Sequence, residues 1–203
     1  MLKNLIFAFT SLILITSTAA TQVKTPYHDV STEDLVAALQ FRGIDIFKFN
    51  IDSQRKNLYL FITVDEYDSA HGLQRVDTLL VGQTLYTEGS RPEYVSQIRF
   101  ITSVINSDFR IIHVQTGTKQ ASSIKTLTIL PQFAKKHYWA RFVEQPTVVG
   151  KSIPLLFFGS EWSESIRGVP TTRPIGSKEL DPTLKDSALR LVPHYFIIAY
   201  ELR

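Results

Sequence analysis

HYFIIAYEL, residues 194–202, decides how the rest of the chain is read. In an extended strand His194, Phe196, Ile198 and Tyr200 point one way and Tyr195, Ile197 and Ala199 the other. Both rows are dominated by apolar or aromatic side chains, so this strand belongs at the centre of a sheet that is covered on both faces. Its deletion is expected to unfold the domain.

Outward from that strand, further short runs are rich in β-branched and aromatic residues. IDIFKFNI (44–51) and LYLFITV (58–64) are separated by the polar stretch 52–57, the pattern of a hairpin. QIRFITSVI (97–105) and FRIIHVQT (109–116) are joined by Asn106, Ser107 and Asp108, and IKTLTIL, HYWARFV and IPLLFF follow. This spacing favours an antiparallel sandwich over a helical protein. One helix stands before the strands: STEDLVAALQFRG opens on the caps Ser31 or Thr32, places Glu33 and Asp34 in the first turn, repeats Leu35, Val36 and Leu39, and closes at Gly43. The fold class expected is mainly β, bordering on α+β: an antiparallel, sandwich-like domain with one N-terminal amphipathic helix. Residues 159–182, with their prolines, glycines and mixed charges, read as a long loop.

Lys3, the apolar run Leu5–Ile15 and the small residues Ser17 to Ala20 follow the order of a secretory signal peptide. The expected organisation is a signal peptide over 1–20 and a single β-rich domain over 21–203, periplasmic or secreted. The apolar run is too short to span a bilayer comfortably, and no later stretch approaches the length needed. Loss of Lys3 lowers the formal charge from +3 to +2, with lysines and arginines interspersed among acids. That dispersion argues against nucleic acid as a partner. No cysteine is present, which excludes disulfides, thiol catalysis and cysteine-based zinc sites.

Chemistry-bearing segments are few. In VDEYDSAHG, Asp65, Glu66, Asp68 and His71 have the composition of a cation site but not the spacing of a calcium loop, and read as a strand ending in a solvated turn. SQRK (53–56) and SSIK (122–125) match a Ser-x-x-Lys spacing, but both read as polar segments between strands and lack the accompanying elements of acyl-transfer enzymes. No phosphate loop, nucleophile elbow or His-Glu-x-x-His motif occurs. His113 and His194 fall in apolar strands and read as satisfied core histidines. No catalytic residue, metal ligand or cofactor is assigned.

Two segments are candidates for binding. In AKKHYWARF, alternation puts Trp139 and Arg141 on one face with His137, suited to a sugar, an anionic group or a protein partner. In FFGSEWSE, Trp162 lies between Glu161 and Glu164, where a sugar could stack beside two carboxylates; Glu144 is a further acid for such a site. Trp139, Arg141 and Trp162 are therefore the candidate ligand-binding residues. The partner expected is an envelope protein or a polysaccharide.

DLVAALQFRGIDIFKFNI, LYLFITVDEY, IPLLFFGSEW, KELDP and VPHYFIIAYEL together resemble a family of exported domains from Bacteroidetes known only as a domain of unknown function. The resemblance covers both ends of the chain and weakens from Asp77 to Gly150. It implies a bacterial envelope or cell-exterior setting and carries over no site residue. The leading expectation is a non-catalytic exported binding or accessory domain; the alternative is a glycan-binding or glycan-cleaving secreted protein.

Overall fold

The computed structural model describes residues 31–51, 57–70, 72–87, 93–117, 120–129, 131, 136–175, 179–185 and 187–203. The leader, residues 53–56 and His71 lie outside the described residues. The expected helix is present as α1 (Thr32–Phe41). Ser31 is its N-cap, and Ser31 and Asp34 form a reciprocal capping box in which Ser31 Oγ accepts from the Asp34 N–H at 3.1 Å. Gly43 ends the helical turn at φ 70°, and a Cβ there would come within 2.8 Å of Val104. Although α1 is amphipathic, none of its residues is fully buried, and Leu35 and Val36 stay exposed.

Thirteen strands are described: β1 (Ile44–Asn50), β2 (Tyr59–Asp68), β3 (Gly72–Thr84), β4 (Tyr86–Thr87), β5 (Glu93–Tyr94), β6 (Gln97–Val104), β7 (Phe109–Thr116), β8 (Gln120–Thr128), β9 (His137–Arg141), β10 (Ile153–Ser160), β11 (Trp162–Ile166), β12 (Val169–Arg173) and β13 (His194–Leu202). They form a four-stranded sheet, β1-β6-β7-β8, and a five-stranded sheet, β3-β2-β13-β10-β9, with the short pairs β4-β5 and β11-β12 beside them. The pairings within both sheets are antiparallel.

Ile98, Phe100, Ile112 and Val114 of the first sheet meet Leu60, Ile62, Leu156, Phe158 and Ile198 of the second in one core. The other face of the five-stranded sheet is covered as well: Phe157 and Ile197 pack with Trp162, Ile175, Leu180 and Val192 in a second cluster. As its composition requires, β13 sits between β2 and β10, buried from both sides. No helix among the described residues is long and apolar enough to cross a membrane.

Three expectations are corrected. β1 and β2 do not form a hairpin: β1 pairs with β6 and β2 with β13 and β3, so the connection passes from one sheet to the other. The segment 159–182 is not one loop. β11 and β12 pair across Arg167 and Gly168, both at positive φ, the two-residue turn that suits strand twist. SSIK lies inside β8 rather than in a polar segment between strands. The acidic stretch is as expected a strand ending in a turn: Asp65 and Glu66 lie within β2, and Asp68 closes it, its Oδ1 accepting the Ala70 N–H at 2.8 Å.

Candidate binding seam

The two sides of the sandwich differ. On one, β3 and β8 are tied together: Asp77 Oδ2 of β3 lies 2.7 Å from Lys125 Nζ of β8 and 2.7 Å from Arg75. The Lys125 hydrogen bond, followed by backbone and Coulombic contributions, holds the Asp77 carboxyl below its ordinary range despite some desolvation. On the other side β1 and β9 are the edge strands, and no described strand bridges them.

Arg141 projects from β9 into this open side. Its guanidinium carbon lies 5.5 Å from the ring centre of Phe47 and 5.8 Å from that of Phe49, both on β1, so the cation rests on two aromatic faces. It has no carboxylate within ion-pair distance among the described residues. Cavities lie to either side of it. One, of about 180 Å³, is bounded by Val36 and Leu39 of α1 and by Ile44 to Phe47 of β1. The other, of about 120 Å³, is bounded by Lys48, Phe49 and Asn50 of β1, with Glu144, Gln145 and Glu179 opposite.

Trp139 shares the Arg141 face, as alternation requires, but its ring is half-buried. It stacks on Phe158 at 4.3 Å, and Phe47 tilts against it at 5.5 Å. Trp139 therefore supports the floor of the seam while Arg141 reaches its opening. Trp162 belongs elsewhere. It is 8% exposed, inside the second hydrophobic cluster, with its indole nitrogen unpartnered, so it offers no face on which a sugar could stack. Nor do its flanking acids converge on one bond, since Glu164 is ion-paired at 2.6 Å with Arg173 across the hairpin. Glu144 is exposed and lines the smaller cavity.

Sequence reasoning did not single out the polar row at one end of the inter-sheet space. His194 Nε2 lies 2.9 Å from Glu66 Oε1, and His194 Nδ1 lies 3.4 Å from His137 Nε2, linking β2, β13 and β9. The His194 N–H donates to Ser160 Oγ at 3.3 Å. Strand register brings these residues together, and only alternation along four separate strands could have signalled it. Both ring nitrogens of His194 are engaged, so this chain reads as a structural bond between strands, in keeping with the core role expected of His194. Among the described residues no three His, Asp or Glu side chains converge as a metal-binding group.

On the opposite face of the same sheet, Tyr67 and Tyr195 stack at 4.9 Å beside Phe157. Burial pushes the neighbouring Asp65 carboxyl up, and its Oδ1 is buried without a partner. Burial, with the charge of Asp65 next, likewise raises the Tyr67 phenol.

Fold and seam together define an antiparallel β-sandwich in which β3 and β8 are tied on one side, while on the other, where no described strand bridges β1 and β9, a cation lies over an aromatic floor. The chain belongs to the family of domains of unknown function designated DUF5041, which it matches over residues 14–203. No curated protein and no solved structure matches it.

Proposed function

We propose that this chain is an exported, non-catalytic binding or accessory domain of the bacterial cell envelope, and that it holds its ligand at the β1–β9 seam. One observation carries the reading: Arg141 is an exposed cation, seated on Phe47 and Phe49, without a carboxylate partner among the described residues, between two cavities. Groups built this way supply orientation for an incoming anion or a hydrogen-bonding chain. Export rests on the leader sequence of residues 1–20.

A second reading, a polysaccharide as the ligand, is favoured by the smaller cavity, where Lys48, Asn50, Glu144 and Gln145 present the charged and amide groups that read sugar hydroxyls. Calorimetric titration with a panel of bacterial polysaccharides and envelope-derived peptides tests the seam. Saturable binding that Arg141→Ala weakens by about tenfold or more, equivalent to roughly 1.4 kcal/mol, is expected. Binding left intact by both Arg141→Ala and Lys48→Ala would remove the seam from consideration.

A further inference from the structure

We infer that the seam receives an extended peptide segment carrying a carboxylate side chain, which adds to the free edge of β1 as a fifth strand of the smaller sheet. This rests on the reading of the seam as the binding site and names its ligand class.

The first ground is the course of the two cavities. Ile44, Asp45, Ile46 and Phe47 line one, and Lys48, Phe49 and Asn50 line the other, so the pair follows β1 along its whole length. Seven residues of strand span about 23 Å, the footprint of an extended segment rather than of a compact small molecule. β1 is bonded to β6 on one side, and on the other it has no strand among the described residues. Every second residue of such an edge presents backbone N–H and C=O groups outward, the template that strand addition uses.

The second ground is charge. Lys48 and Arg141 flank the edge, and neither is ion-paired among the described residues. Arg141 lies on the Phe47 and Phe49 face of β1 and Lys48 alternates to the other, so a carboxylate on the added strand meets a cation on either face. Glu144 and Glu179 also line the smaller cavity, and Asp45 the larger, so further acids on the ligand are disfavoured by like charge.

The third ground weighs against a saccharide. The aromatic rings at the floor of the seam are already engaged: Phe158 and Phe47 cover Trp139, Arg141 covers Phe47 and Phe49, and Trp162 is buried in the second cluster. Recognition is left to the backbone edge and the two cations, which together suit a peptide.

The test selects a displayed library of random dodecapeptides on the purified chain and, in parallel, on Arg141→Ala. Peptides pairing Asp or Glu with β-branched residues should be enriched on the native chain alone. A synthetic copy of an enriched peptide should slow amide hydrogen exchange across residues 44–50 by about tenfold and bind Arg141→Ala and Lys48→Glu about tenfold more weakly. Absence of enrichment, enrichment indifferent to Arg141, or binding that leaves exchange in β1 unchanged would each overturn the inference. Oligogalacturonides, which carry carboxylates on a saccharide, are titrated against the same variants. Their Arg141-dependent binding without peptide enrichment would overturn the peptide and keep the seam. Failure of both probes would overturn the two together.

Discussion

Gly159 shows how much a single residue carries in the central strands. A Cβ there would meet Cε1 and Cζ of Phe157 at 2.2 Å and Tyr195 Cβ at 3.1 Å. Phe157 is wholly buried and stacked on Tyr195, so the ring has nowhere to move. Gly159→Ala is expected to lower stability by about 1–3 kcal/mol, the usual cost of overpacking, measured by urea unfolding. Asp65 works in the opposite direction. Its folded-state pKa is raised by burial, so the fold loses stability as pH rises through that value and the carboxylate ionises without a partner. Asp65→Asn should therefore stabilise the protein at pH 7, by about 1 kcal/mol, and the gain should fade as the pH is lowered below the ordinary carboxylate range. A gain of the same size at pH 3 and pH 7 would show that charge is not its cause.

At the level of elements, alternation along one strand made much of this fold legible, whereas pairing between strands was not. The faces of β13, and the shared face of Trp139 and Arg141, follow from spacing two residues apart. The partners of that face, Phe47 and Phe49, lie nearly a hundred positions away, and nothing in either segment encodes their meeting. β1 and β2 look like a hairpin because a polar stretch joins two apolar runs, and that pattern is the same whether the chain turns back or crosses to another sheet. β3 leaves a weak apolar signal because it is an edge strand with Gln74 and Arg75 on its exposed stretch. The β3–β8 side supplies its own prediction. Because the Asp77 carboxyl lies below its unfolded value, its contribution is present above pH about 4 and is lost as the pH falls through the folded value. Asp77→Asn should cost less than about 1 kcal/mol at neutral pH, as expected of an exposed ion pair, and nothing near pH 2. Unfolding curves of both proteins at the two pH values, with and without added salt, decide this.

For the whole molecule, the two tryptophans report on different layers, which turns the layered architecture into an optical experiment. Trp162 lies in the cluster on the outer face of the five-stranded sheet, and Trp139 lies between the sheets at the base of the seam. A ligand seated beside Arg141 changes the surroundings of Trp139 through Phe47 and leaves those of Trp162 as they were. Trp162→Phe, which retains Trp139, should thus keep any ligand-induced change in fluorescence, and Trp139→Phe should abolish it while ligand still binds by calorimetry. The phenylalanine substitutions are chosen because truncating a core tryptophan to alanine costs about 3–5 kcal/mol and would confound binding with unfolding. A response retained by Trp139→Phe and lost by Trp162→Phe would move the site to the outer layer, against the segment from Trp162 to Val192. The side of the five-stranded sheet that meets the ligand is thereby decided by which indole responds.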